Sequence, residues 1–261
     1  MAKWGMVIDL EKCTGCQACT TACQMENTRL PGEKWQDVLY YVEGEQPSPS
    51  LKWFPRPCMH CENPSCAAVC PTGATYKDKD GFVLIDWDKC IGCKYCMIAC
   101  PYGVRFYTDE QAAVQPNVKK VTDTKGVSWA GNRGRQWSPP YRMPDANEDH
   151  KRGVGVQPPG VVSKCTFCYQ RVSKAPAGVA DLDPSDPKLR AATPACVVTC
   201  GPGARYFGDL DNPNSKVNKL IAEKRGTRLL DHTGNKPQVY YLSGEGGAAV
   251  PGSRSSGKTK T

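Results

Sequence analysis

Apolar residues along this chain gather in short runs, two of which stand immediately before cysteine-rich loops. Met6-Val7-Ile8-Asp9-Leu10 and Phe82-Val83-Leu84-Ile85-Asp86 are blocks of β-branched, aromatic and aliphatic residues bounded by turn formers. That pattern predicts strands. The two runs belong to a repeat: Val-Ile-Asp-Leu-Glu-Lys-Cys-Thr-Gly-Cys from position 7 matches Leu-Ile-Asp-Trp-Asp-Lys-Cys-Ile-Gly-Cys from position 84. Each copy reads as a strand, a turn and a loop. Gly15 and Gly92 sit between cysteines in those loops, where backbone must approach a neighbour closely or adopt positive φ. Three further stretches, Pro71 to Tyr76, Pro101 to Tyr107 and Gly201 to Phe207, share a Gly-containing turn that runs into a short predicted strand.

The loops carry sixteen cysteines in four groups of four. Cys13, Cys16, Cys19 and Cys23 have gaps of two, two and three residues, and Cys90, Cys93, Cys96 and Cys100 repeat them. Cys58, Cys61, Cys66 and Cys70 have gaps of two, four and three. The last group is split into Cys165 and Cys168, then Cys196 and Cys200. Gaps of two, two and three followed by Pro are the bacterial ferredoxin run for a [4Fe–4S] cluster, completed here by Cys100-Pro101 and echoed by Cys70-Pro71. The expected cofactors are four [4Fe–4S] clusters with no cysteine left over. In two-cluster ferredoxins the fourth cysteine of each run ligates the other cluster. Applied here, cluster 1 takes Cys13, Cys16, Cys19 and Cys200, and cluster 4 takes Cys165, Cys168, Cys196 and Cys23. Cluster 2 takes Cys58, Cys61, Cys66 and Cys100, and cluster 3 takes Cys90, Cys93, Cys96 and Cys70. Structural zinc also uses cysteines two residues apart, but triple-cysteine runs ending in Cys-Pro are not its habit. A disulfide framework suits small secreted domains, and a chain of this size can build a core without staples.

Composition changes the picture in three ways. Hydrophobic residues are only 39%, with 25 Gly and 22 Pro, so the chain is loop-rich and bound metal must contribute to its folding. The formal charge of +8 invites a nucleic-acid reading until the clusters are counted. Four oxidised cubanes with their thiolates carry roughly −8 together, which removes the inference. No stretch approaches the ~18 apolar residues of a membrane span. The start lacks the apolar region of a signal peptide and a twin-arginine pair.

The expected fold class is α+β: two bacterial-ferredoxin-like modules of strand–helix–strand repeats with long loop insertions. Residues 1–52 plus 161–243 form the outer module and 53–108 the inner one. Residues 109–160 are a loop insertion expected to contact a partner, with Trp129 and Trp137 exposed, and 244–261 a flexible tail. Residues 173–193 lengthen the fourth cysteine group.

The motifs resemble a specific family. Met6 to Cys16, Cys58-Met59-His60-Cys61-Glu62-Asn63-Pro64-Ser65-Cys66, Cys70-Pro71-Thr72-Gly73-Ala74, Ser163-Lys164-Cys165-Thr166-Phe167-Cys168 and Phe207-Gly208-Asp209-Leu210-Asp211-Asn212-Pro213 are similar to the four-cluster subunit of the dimethyl sulfoxide reductase superfamily of iron–sulfur molybdoenzymes. The polysulfide/thiosulfate and respiratory arsenate reductase type is the nearest in pattern. The resemblance implies an electron-transfer subunit between a molybdopterin (Mo or W) catalytic subunit and an integral-membrane, quinone-binding anchor. Cluster 1 would lie nearest the catalytic subunit, and the middle-group clusters would lead toward the membrane. It implies a peripheral position in a membrane-bound complex, with clusters inserted in the cytoplasm. The final face would be periplasmic by co-export with a partner, or alternatively cytoplasmic. The long 109–160 stretch departs from the family's shorter connection. Two other readings stay open: a free-standing soluble polyferredoxin, and the electron-transfer arm of a formate dehydrogenase or hydrogenase complex. No catalytic residue and no nucleic-acid partner is assigned. His60 could tune a cluster or face quinone, or simply pack. Lys94 and Arg105 could offset cluster charge or face solvent, and Trp87 and Tyr95 read as shielding.

Overall fold

The computed structural model describes residues 2–27, 29, 34–44, 47, 49–108, 149–155 and 157–243. The expectations for Trp129 and Trp137, for most of 109–160 and for the tail from 244 lie outside these.

Strand β1 (Trp4–Asp9) is buried along its whole length, which explains its unbroken apolar pattern, since a strand covered on both faces need not alternate. It is flanked by the later strands β8 (Arg205–Asp209), antiparallel, and β10 (Val239–Leu242), parallel. Strand β9 (Thr227–Arg228) completes the order β8-β1-β10-β9. Met6 thus lies opposite Phe207 on one side and Val239 on the other. One face of β1 sends Trp4, Met6 and Ile8 into the main core, where Trp4 stacks on Phe207 at 5.6 Å. The other face packs Val7 against Val217 and Leu242, with Leu220 and Ile221 alongside.

Three two-stranded ribbons surround this sheet: β2 (Asp37–Glu43) with β3 (Ser50–Arg56), β4 (Thr75–Lys77) with β5 (Val83–Ile85), and β6 (Phe106–Tyr107) with β7 (Val162–Ser163). Five helices follow or contain cysteines: α1 (Ala18–Glu26), α2 (Ser65–Ala68), α3 (Tyr95–Ile98), α4 (Tyr169–Val172) and α5 (Ala195–Val198). A sixth, α6 (Lys216–Glu223), is capped by Ser215, whose hydroxyl accepts from the Asn218 amide at 3.3 Å. α1 packs on α5, and α2 on α3.

The architecture is therefore α+β, with short helices and small sheets. The boundary drawn between 52 and 53 falls inside β3, and the β6–β7 ladder joins 106–107 to 162–163 across the other one. The hydrophobic pattern does not predict the β2–β3 hairpin. The run Val38 to Val42 does not alternate in polarity, and only Val38 of it is fully buried.

Gly15 and Gly92 both adopt positive φ, +69° and +66°. A Cβ on Gly15 would fall 2.1 Å from the Trp53 ring, and one on Gly92 2.1 Å from the Gly160 carbonyl oxygen. Gly73 shares the same backbone (φ +65°) with nothing within 4 Å. Gly73→Ala should therefore cost only the left-handed penalty, about 1–2 kcal/mol. Gly15→Ala should cost a further 1–3 kcal/mol or so from overpacking. In thermal melts Trp53→Ala should recover much of that increment in a double-mutant cycle; additive effects would show that the ring does not set the constraint.

Candidate metal centres

The structure brings together cysteines from distant segments of the chain. Cys13, Cys16 and Cys19, from the loop between β1 and α1, line one cavity with Cys200, which follows α5. Cys58, Cys61 and Cys66 line another with Cys100. Cys23, on α1, lies among Cys165, Cys168 and Cys196, whose charges bear directly on it. Cys96 has Cys90 and Cys70 as its sulfur neighbours, and Cys93 belongs to the same loop as Cys90.

The foursomes differ in depth. Cys23, Cys165, Cys168 and Cys196 are all buried. Cys58 and Cys61 are buried, with Cys66 and Cys100 half-buried. Only Cys16 and Cys93 are exposed. The foursomes also form a series. Cys196 is within electrostatic reach of Cys19 and Cys200, and Cys165 of Cys58. Arg105 spans the remaining gap by acting on Cys66, Cys58 and Cys100 and on Cys96.

Burial dominates the thiol chemistry. It pushes Cys61 and Cys165 up to about 12, and neighbouring sulfurs add to the effect. Cys23 and Cys168 are raised well above the usual thiol range for the same reason. Cys70 goes the other way. Its modest burial is outweighed by the Thr75 amide, which donates to Sγ at 3.4 Å, and by the Thr72 hydroxyl at 3.7 Å. Other amides point at sulfur too, Phe167 at Cys165 (3.4 Å) and Ala204 at Cys200 (3.2 Å). Such N–H donors are among the levers that set a cluster's potential. The loops that aim them are strained. Gln17, His60, Lys94, Phe167 and Cys168 all take positive φ, at a cost of order 1–3 kcal/mol each, which persists only where the surroundings over-determine the backbone.

The solvent-facing alternative for Arg105 is overturned: it is buried, and its Nη2 donates to Cys66 Sγ at 2.8 Å while Nη1 donates to Thr75 Oγ1 at 3.2 Å. Lys94 lies over the Tyr107 ring at 3.9 Å. Trp87 is buried, whereas Tyr95 is exposed. His60 packs. It is fully buried, stacks on Phe167 at 3.8 Å and accepts the Val83 amide on Nδ1 at 3.1 Å. Nε2–H therefore donates to the Cys165 carbonyl at 2.9 Å. Burial, reinforced by Lys164 and Arg105, holds its pKa well below the ordinary value, so the ring stays neutral.

Two functional features escape a reading of the sequence. One is the β2–β3 hairpin, whose Val38 and Pro55 wall the first cavity. The other is a pair of buried cations, Arg205 and Lys164. Arg205 is legible in principle: it stands five residues after Cys200 as Arg105 stands five after Cys100.

These sites fit polynuclear iron–sulfur groups. The two cavities described are lined by cysteine sulfur without carboxylate or imidazole, the soft donor set that selects iron–sulfur clusters, zinc or copper(I). Among the described residues no three Cys, His, Asp or Glu side chains sit so as to hold a single metal ion.

Comparison with known proteins agrees. Two family models, each described as a 4Fe-4S dicluster domain, match residues 12–74 and 49–127. Their matches contain the first three cysteine groups, and full-length relatives extend over the fourth. The menaquinone reductase iron–sulfur cluster-binding subunit of Nitratidesulfovibrio vulgaris is 38% identical over 92% of this chain and 89% of its own. A selenate reductase subunit of Mesobacillus selenatarsenatis is 38% identical over 92% of this chain and 72% of its own. The arsenate respiratory reductase iron–sulfur subunit of a Shewanella species is 35% identical, covering 91% and 95%. With two dicluster matches and sixteen cysteines the complement is four [4Fe–4S] clusters. The chain belongs to the family of iron–sulfur electron-transfer subunits of the molybdoenzyme reductases.

Proposed function

We propose that this chain relays electrons between a molybdopterin catalytic subunit (Mo or W) and a quinone-linked integral-membrane anchor, through four sites in a fixed order. The ligand sets are Cys13, Cys16, Cys19 and Cys200 for site 1, and Cys165, Cys168, Cys196 and Cys23 for site 4. Site 2 takes Cys58, Cys61, Cys66 and Cys100, and site 3 takes Cys90, Cys93, Cys96 and Cys70. The bound clusters supply one-electron transfer; the protein's part is to hold, space and insulate them. The observation that carries this reading is the interleaving of the foursomes, which supports the order 1, 4, 2, 3. Packing of α1 on α5 and α2 on α3 supports pairing sites 1 and 4 in an outer module and 2 and 3 in an inner one.

Exposure supports the assignment of ends. Site 1 has exposed Cys16 and lies beneath the β2–β3 hairpin, which presents Leu39, Tyr40, Val42 and Leu51 to solvent. Site 3 has exposed Cys93 with Ile91, Tyr95 and Ile98 beside it. The first end suits the catalytic subunit and the second the anchor. Among the described residues no helix is long and apolar enough to cross a membrane, and the anchor proposed here is a separate chain. The periplasmic or cytoplasmic face is chosen by that assembly. The names of the relatives cover selenate, arsenate and menaquinone chemistry, which supports a relay whose substrate is selected by its partner.

Gentle native purification through this chain should yield about sixteen Fe per chain, with Mo or W and two further subunits in the same peak. The same iron on a lone monomer without Mo or W would favour a soluble polyferredoxin instead. Cys200→Ser should perturb the same electron paramagnetic resonance signal as Cys13→Ser. If it perturbs the signal affected by Cys168→Ser, the proposed exchange is wrong.

A further inference from the structure

Resting on that assignment of the four sites, we propose that three buried cations, one in each gap between successive sites, set the potentials along the relay. Arg205 lies between sites 1 and 4, Lys164 between sites 4 and 2, and Arg105 between sites 2 and 3.

Arg205 is 4% exposed, and its guanidinium points at sulfurs of both neighbours, Nη2 at Cys19 Sγ (3.6 Å) and Nη1 at Cys196 Sγ (3.9 Å). Arg105 is 5% exposed and is placed alike in the other pair: Nη2 donates to Cys66 Sγ at 2.8 Å, and its charge bears on Cys96 of site 3. Lys164 is 2% exposed. Its ammonium donates to the Cys165 carbonyl of site 4 at 2.9 Å, the same oxygen that His60, between Cys58 and Cys61 of site 2, bonds at 2.9 Å, and its charge bears on Cys165 and Cys66. Among the described residues one other cation is buried, Arg29. It stacks on Trp35 at 4.4 Å, donates to Gln157 at 2.7 Å and bears on Cys23.

Burying a full charge is costly unless it is compensated. Among the described residues no carboxylate hydrogen-bonds to any of these three cations; their partners are sulfur, a methionine thioether, a hydroxyl and a carbonyl. The compensating charge is that of the clusters themselves. A cation between two anionic clusters favours the reduced, more negative form of both, because low local dielectric strengthens the attraction. It also screens the repulsion between neighbours that are reduced together. Arg105 and Arg205 occupy equivalent positions of the repeat. Thr75 holds the corresponding position after Cys70 and accepts a hydrogen bond from Arg105, so in that pair one half provides the cation and the other its oxygen partner.

The test is a redox titration of the purified, fully loaded protein, followed by electron paramagnetic resonance, on Arg205→Gln, Lys164→Gln and Arg105→Gln. Each neutral variant should lower two of the four midpoints, changing the reduced-to-oxidised ratio at fixed potential about tenfold, or about 59 mV for a one-electron couple. The pattern needs no prior assignment of signals. Arg205→Gln and Arg105→Gln must move disjoint pairs, and Lys164→Gln must move one member of each pair. Uniform shifts of all four midpoints, or none, overturn the proposal. Should a neutral variant lose iron, the charge-conserving Arg205→Lys, Lys164→Arg and Arg105→Lys decide. Full iron with midpoints within about twofold in ratio supports the charge as agent; a tenfold change there overturns it. Wild-type protein without about sixteen Fe per chain would sink the site assignment itself, whereas sixteen Fe with the wrong pattern sinks only the cation roles.

Discussion

Four sulfurs must converge on one volume from different directions, and a single tight loop cannot supply them. That geometric constraint organises this molecule. Cys200 joins Cys13, Cys16 and Cys19 around a cavity, while Cys23 lies among Cys165, Cys168 and Cys196. The first and last cysteine groups are thereby held together although most of the chain lies between them. The β1–β8 ladder is the backbone counterpart of that exchange, pairing Ile8 with Arg205 just before one cysteine loop and just after another. The middle groups repeat the arrangement, with β4–β5 linking Cys70 to Cys90 through Thr75 and Ile85.

The second consequence is electrostatic. Sulfurs collected away from water raise one another's proton affinity, as at Cys61 and Cys165, and the protein answers with amides aimed at sulfur and with Arg105, Arg205 and Lys164 in the interior. Neither the ligand thiolates nor the cations would be stable there alone. Ligand thiolates form as metal binds, so cluster insertion and folding are coupled. A chain with only 39% hydrophobic residues uses the charged interior as part of what holds it together.

A gradient of depth runs along the same series. The Cys23 foursome is wholly buried, and the foursomes containing Cys16 and Cys93 each reach the surface. The β2–β3 hairpin closes over the first cavity through Val38 and Pro55 while turning Tyr40 and Val42 outward. The loop at the other end leaves Ile91 and Ile98 in the open. An insulated middle with accessible ends suits the relay proposed above.

Much of this was written in the chain. Cysteine spacing is set by local loop geometry, so the groups, the cluster type and the expected left-handed glycines at 15 and 92 could be read from residues close together in sequence. The strands at Met6 and Val83 announced themselves because both their faces are apolar. The hairpin from Asp37 to Arg56 did not, since its outer face is equally apolar and no alternation marks which side is buried. Nor could the sequence say which charged residues lie inside. Lys164 and Arg105 look like surface cations until the fold brings sulfurs from remote segments around them, and His60 becomes a neutral packing residue only once Phe167, Val83 and Cys165 meet at its ring. Ligand chemistry is a local property of the chain. Burial and the electrostatic field depend on contacts between distant segments, and only the tertiary structure decides them.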